Sequence, residues 1–173
     1  MPSPVGHALG GLIAHAAGAD RRDLQDWPRI VLVAVAACAP DLDLLLGFAT
    51  FGQRHRAESH SLGAALASGI LVAWLARTRR CVRSSWLGAL VALGWASHVL
   101  LDLIGSDSQP PLGLMALWPW SNAYFKAPLV LFLDIGRTLR ASTVWQNAVA
   151  AAWEIVLLLP ILLAVTWLRR RKS

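Results

Sequence analysis

The stretch Ser85-Trp86-Leu87-Gly88-Ala89-Leu90-Val91-Ala92-Leu93-Gly94-Trp95-Ala96-Ser97-His98-Val99-Leu100-Leu101-Asp102-Leu103-Ile104 decides how the rest of the chain is read. It holds one charged side chain, close to its end, and about 20 mainly apolar residues are what a helix needs to cross a bilayer. Four similar runs flank it: Pro4–Ala19, Pro28–Phe48, Ser61–Ala76 and Val144–Leu168. The first and third are short for a full span, so they tilt little, thin the bilayer locally or lie shielded by neighbours. Composition agrees, with 56% hydrophobic and 15% charged residues against about 45–50% and about 25% in an average soluble domain. The expectation is an all-α, polytopic membrane bundle of about five helices, forming a single domain over residues 1–173.

Several other classes fit less well. The segment Val5 to Ala17 lacks a basic start and contains His7 and His15, so it reads as a retained helix rather than a signal peptide. The net charge of +6 comes from short basic clusters between apolar runs, a membrane-protein pattern, so no nucleic-acid partner is expected. Cys38 and Cys81 are too few and too dispersed for a disulfide framework and read as small apolar helix residues. Between the fourth and fifth runs, Gly105 to Thr143 carries Pro110, Pro111, Pro119 and Pro128 and an apolar piece, Pro128–Ile135, too short to cross. It reads as a loop layer with interfacial or re-entrant pieces.

Lys and Arg counts give that layer a side. Arg21, Arg22, Arg29, Arg77, Arg79, Arg80, Arg83, Arg169, Arg170, Arg171 and Lys172 fall on one side, eleven in all. Arg54, Arg56, Lys126, Arg137 and Arg140, five in all, fall on the other. The positive-inside rule puts the eleven in the cytoplasm, with the amino terminus outward and the carboxyl terminus inward. Trp27, Trp74, Trp86 and Trp167 then lie near the inner boundary and Trp118, Trp120 and Trp145 near the outer one, as aromatic belts do.

With that orientation, four segments deliver imidazoles and carboxylates to the outer side. His7 starts the first run, Asp41 and Asp43 lie near the outer end of the second, His55 and His60 lead into the third, and His98 and Asp102 end the fourth. An unpaired charge near hydrocarbon costs on the order of 2.5–3.5 kcal/mol at a helix centre, so such residues are functional candidates when they find partners. Imidazole and carboxylate are ligands of zinc and related divalent cations, and a cation neutralises several carboxylates together. His98 and Asp102, four apart, share one helix face and can grip one ion; alone, they also suit a hydrogen bond between packed helices. Asp41 and Asp43 would point about 200° apart on a regular helix. Either an irregular turn at Pro40 brings both inward, or one is a ligand and the other fixes a histidine tautomer. His15, two turns below His7, reads as an interhelical hydrogen-bonding residue, and Glu58 as a solvated carboxylate placed to be a general base. Arg54 and Arg56 suit an anionic headgroup, a developing negative charge on a phosphoryl oxygen, or plain interfacial anchoring. The sequence names no local partner for Asp107, Asp134 and Glu154.

The ordered set Gly6-His7, Pro40-Asp41-Leu42-Asp43, His55-Arg56-Ala57-Glu58-Ser59-His60-Ser61, Ser97-His98-Val99-Leu100-Leu101-Asp102 and Trp118-Pro119 resembles the YdjM-like family of LexA-regulated, inner-membrane-bound, metal-dependent hydrolases. The resemblance runs over residues 6 to about 121. It departs at Ala57, where the family has Gly, at Glu58, where it has an apolar or aromatic residue, and near Gly105, where it has Thr. Glu58 as a base therefore gains no support from it. The resemblance implies a bacterial inner-membrane enzyme, a metal-dependent hydrolase.

The resulting expectation is hydrolysis of an ester or phosphoester, most simply of a membrane lipid, at the extracytoplasmic face. One or two divalent ions, zinc first and manganese or magnesium as alternatives, are held by Asp41, His55, His60, His98 and Asp102, with His7 and Asp43 as further ligands or their supports. Asp43, Arg56 and His60 are the residues expected to take part in catalysis. The competing readings are a metal-ion or proton transporter and a non-catalytic scaffold with a structural metal. Transport predicts ionisable residues continuing toward the cytoplasm, where His15 and Glu154 offer themselves; a structural metal predicts a closed ligand shell.

Overall fold

The computed structural model describes residues 1–20, 23–44, 55–108, 112–136, 138 and 140–171. Among them the regular structure is helical: α1 Pro4–Gly18, α2 Trp27–Cys38, α3 Leu62–Thr78, α4 Ser84–Leu103 and α5 Ala141–Arg171. No named strand occurs among the described residues, which carry isolated bridges at Gly105–Phe132 and Leu114–Phe125. Arg21, Arg22, Arg54, Arg137, Lys172, Pro110 and Pro111, and the end of the expected second helix at 45–48, lie outside the described residues.

Helix starts follow local chemistry. Ser3 caps α1, its hydroxyl accepting from the amides of Val5 and Gly6, and Pro4 supplies the preset first turn. Asp26 accepts from the Arg29 amide at 3.3 Å ahead of α2, and Ser61 accepts from the Ala64 amide at 3.0 Å ahead of α3. The end of α2 differs from the expectation of one helix running to Phe48. The α-helix stops at Cys38 and tightens into a 3₁₀ turn, Ala39–Leu42. Ala39 keeps helical angles (φ −63°, ψ −34°), so the change comes from the amide hydrogen missing at Pro40, not from an extended Ala39.

α1 is the hub. It packs against α2, α4 and α5, while α3 packs chiefly on α4. The α3–α4 contact is a meeting of backbones: a Cβ on Gly69 would lie 2.7 Å from the Gly88 carbonyl oxygen, and one on Gly88 would lie 2.7 Å from the Ala73 Cβ. Small residues permit this approach, which suits helices that gain nothing from burying Leu against lipid-like surroundings. The expected loop layer is irregular and tied to the helix ends. The Leu62 amide donates to Ala116, the Gly63 amide to Trp118, the Leu131 amide to Ile104, and the Trp153 indole to Leu131.

Among the described residues two helices, α4 and α5, are long and apolar enough to cross a membrane, and α3 is a shorter apolar helix. Side chains along α2, α3 and α5 such as Val35, Ile70, Trp74, Val156 and Leu163 are exposed on the protein surface.

Because α1 and α3 begin at the end where α2 and α4 finish, His7, Asp41, His60, His98 and Asp102 share one end of the bundle. Overpacking the α3–α4 seam should show its importance. Gly88→Leu is expected to destabilise the protein by about 1–3 kcal/mol or more, read as a lower thermal midpoint of helical circular dichroism in detergent; an unchanged midpoint would contradict this packing.

Candidate metal centre

Five side chains from four segments converge. His7 comes from the first turn of α1, Asp41 from the 3₁₀ turn after α2, His60 from the short 3₁₀ turn Glu58–His60 before α3, and His98 and Asp102 from the last turns of α4. His7, His60 and His98 are fully buried and the Asp102 side chain nearly so. The Asp102 carboxylate lies 3.4 Å from His7 Nε2, 3.5 Å from His60 Nε2 and 3.3 Å from His98 Nε2. Asp41 lies 3.4 Å from His60 Nε2, 3.7 Å from His98 Nε2 and 3.9 Å from His7 Nε2. The His7 and His98 rings stack, 3.7 Å between centroids and 17° between planes.

The outer nitrogens set the tautomers. His98 Nδ1 is 2.7 Å from the Ala37 carbonyl, which can only accept, so Nδ1 carries the hydrogen and Nε2 keeps its lone pair. His60 Nδ1 faces Asp43 Oδ2 at 3.3 Å and Ser59 Oγ at 3.0 Å, which makes it a donor too and frees Nε2. Asp43 also receives the Ser59 hydroxyl at 2.7 Å and His55 Nδ1 at 2.6 Å. Of the two alternatives open in the sequence, the geometry is that of Asp41 among the converging atoms and Asp43 behind them, orienting a histidine. His55 rests on Asp43, with its Nε2 3.1 Å from the Met1 sulfur, and it also offers a ligand atom within 4.8 Å of Asp41 and His60, a second grouping that could hold an ion.

Beyond these His–Asp contacts, the convergent atoms have no hydrogen-bond partner among the described residues. His7 Nδ1 and Nε2, His60 Nε2, His98 Nε2, Asp41 Oδ1 and both Asp102 oxygens are buried without a partner among the described residues. Buried polar groups are nearly always satisfied, so seven such atoms in one cluster demand a cause. A cation supplies one. Ligands about 2.0–2.2 Å from zinc stand about 3.3–3.6 Å apart in a tetrahedral shell, and the His–Asp distances here run from 3.3 to 3.9 Å. A divalent charge also balances two carboxylates beside three neutral imidazoles. The residues present fit a divalent metal.

Other candidates fall outside the cluster. Arg56, buried and in a left-handed conformation at φ 67°, pairs with Asp107, while its carbonyl accepts from the Met115 amide. Arg56, Lys126, Ser106 and Asp102 nevertheless line one small cavity, so its positive charge borders the cluster. Glu58 is exposed, and His15 is buried further along α1. Sequence reading passed over Ser59, whose hydroxyl buttresses Asp43 and whose carbonyl accepts from the Trp95 indole at 2.8 Å. The Ser59-His60-Ser61 order was the available signal. It also missed the partners of Asp134, which faces the Met1 amino group and Ser108.

Asp43 is desolvated by burial, which opposes its charge, yet the hydrogen bonds from His55, His60 and Ser59 hold its carboxyl below the usual range. Burial likewise opposes a charge on His60, but the carboxylates of Asp41, Asp43 and Asp102 push its pKa up to about 9.

The comparisons with known proteins agree with a membrane setting. The family model described as YdjM inner membrane protein matches residues 1–173. Inner membrane protein YbcI of Escherichia coli (strain K12) is 31% identical over 156 residues, covering 83% of this chain and 86% of that protein. No solved structure matches. The chain belongs to the YdjM inner membrane protein family.

The raised His60 pKa has a measurable consequence in protein stripped of metal by a chelator. Its stabilising contribution is complete below the ordinary value of 6.5 and is lost as pH rises through about 9. The thermal midpoint of stripped wild type should therefore fall between those pH values, and that portion of the fall should be missing in His60→Gln. Identical pH profiles for the two proteins would show that His60 is not held protonated.

Proposed function

We propose that this member of the YdjM inner membrane protein family is a polytopic, membrane-embedded, metal-dependent hydrolase of a lipid ester or phosphoester. One observation carries the reading: four buried side chains and the half-buried Asp41 aim ligand atoms that lack other hydrogen-bond partners at one another at metal-ligand spacing. All five helices are taken as membrane segments, since α2, α3 and α5 present apolar surface such as Val35, Ile70 and Leu163 on the outside of the bundle. The Lys and Arg asymmetry puts the cluster and the loop layer on the extracytoplasmic side.

His7, Asp41, His60, His98 and Asp102 would hold the ion, zinc being the best match to three imidazoles and two carboxylates. A bound divalent ion supplies Lewis acidity, polarising a carbonyl or phosphoryl oxygen and bringing the pKa of water from 15.7 toward about 7. The chain's own residues do the rest. Asp43 holds the Nδ1 proton of His55 on one oxygen and that of His60 on the other, so the His60 lone pair faces inward. The Ala37 carbonyl does the same for His98. Arg56 and Lys126 border the small cavity that reaches Asp102, with Asp107 offsetting the Arg56 charge, so Lys126 is the cation left to favour an anionic group there. An anionic group at headgroup level suits a phospholipid or another lipid phosphoester.

Transport is the weaker reading. Glu154, one of the two residues that would continue a path away from the cluster, is engaged at the start of α1.

Metal analysis of purified wild type, Asp41→Ala and His98→Ala after zinc loading and gel filtration tests the site. Wild type is expected to retain one or two equivalents, and each variant to lose at least about tenfold in affinity. Equal retention by all three sinks the assignment. Hydrolysis of a lipid panel by the same samples separates the remaining readings: turnover by zinc-loaded wild type that disappears in both variants supports the enzyme. Retained zinc with no turnover on any ester or phosphoester points to a structural metal.

A further inference from the structure

α5 is a 31-residue helix with four buried positions, Thr143, Ala150, Glu154 and Leu158, and the last three recur every four residues on the face toward α1. A carboxylate in that stripe is costly in an apolar setting unless strongly engaged. Glu154 is fully buried, and its oxygens accept the Ser3 amide at 2.6 Å and the Ser3 hydroxyl. The same hydroxyl accepts from the Val5 and Gly6 amides, so the carboxylate sits at the positive end of α1 through the cap of that helix. Gly6 makes room for it: a Cβ there would lie 2.7 Å from Glu154 Oε2. The next residue is His7.

His60 and His98 are each oriented through Nδ1, by Asp43 and by the Ala37 carbonyl. His7 has no such partner, since neither ring nitrogen makes a hydrogen bond among the described residues. Its placement depends on stacking against His98 and on where the first turn of α1 sits. We propose that Glu154 is a positioning residue for the metal centre, anchoring Ser3 and the first turn of α1 so that His7 reaches the ligand cluster. It does for His7, through the backbone, what a hydrogen-bonded carboxylate does directly for other ligating histidines. This rests on the metal-centre reading above.

The test measures zinc affinity, by competition with a chromophoric chelator, on the full chain in detergent, together with thermal midpoint and the visible spectrum of the cobalt(II) form. Glu154→Ala and Ser3→Ala are expected to weaken zinc binding about tenfold to a hundredfold and to alter the cobalt spectrum as one imidazole is lost. Glu154→Gln, which keeps an acceptor for the Ser3 amide, should fall between them and wild type. Leu158→Ala, one turn along the same face, should lower the thermal midpoint and leave affinity unchanged. Should Glu154→Ala fail to fold, Ser3→Ala and Glu154→Gln carry the comparison. The inference is overturned if the folded variants bind zinc within about twofold of wild type, or if Leu158→Ala weakens binding equally. Wild type that binds no zinc removes the metal reading and this inference with it; zinc binding in wild type that survives Glu154→Ala removes only the inference.

Discussion

Two carboxylates and three imidazoles, all but Asp41 withdrawn from water and with no hydrogen-bond partners for their facing atoms outside the cluster among the described residues, are the constraint on which this structure turns. Asp41 and Asp102 repel each other, and burial leaves the Asp102 carboxylate without solvent. A divalent ion, bound as proposed, would offset both carboxylate charges. Much of the fold serves to bring the five side chains together. α1 and α3 open where α2 and α4 close, serine caps hold the two helix starts, and small residues let α3 and α4 meet backbone to backbone.

The supports around the centre are as specific as the donors themselves. Each histidine meets a different kind of anchor: the Ala37 carbonyl for His98, the Asp43 carboxylate for His60, and the start of α1 for His7. Asp43 in turn collects hydrogen bonds from His55 and Ser59, tying the segment after α2 to the turn before α3. The loop layer reaches the same region from the other side, through the Arg56–Asp107 ion pair and the Met115 amide. Arg56 thus links the loop layer to the edge of the cluster.

The helices were legible in the sequence because apolar runs and their breaks are local: α1, α3 and α4 lie within a residue or two of their expected spans. The apolar run of α2 stays hydrophobic past Cys38, whereas the backbone responds to one missing amide at Pro40 with an irregular turn, one of the two readings open in the sequence. Spacing showed that His98 and Asp102 share a face, and it left Asp41 and Asp43 open, since an irregular turn erases helical phase. What could not be read was long-range pairing. Glu154 engages Ser3 across 151 positions and Asp107 engages Arg56 through the loop layer, and neither leaves a periodic trace. The positive-inside count gave an orientation that no contact within the fold reports.

Zinc K-edge X-ray absorption on the loaded wild-type protein addresses the central claim most directly. A shell of nitrogen and oxygen ligands at about 2.0–2.2 Å, with scattering from three imidazole rings and no sulfur, is expected. A sulfur contribution near about 2.3 Å, or a shell lacking imidazole, would place the metal elsewhere and leave the buried cluster unexplained.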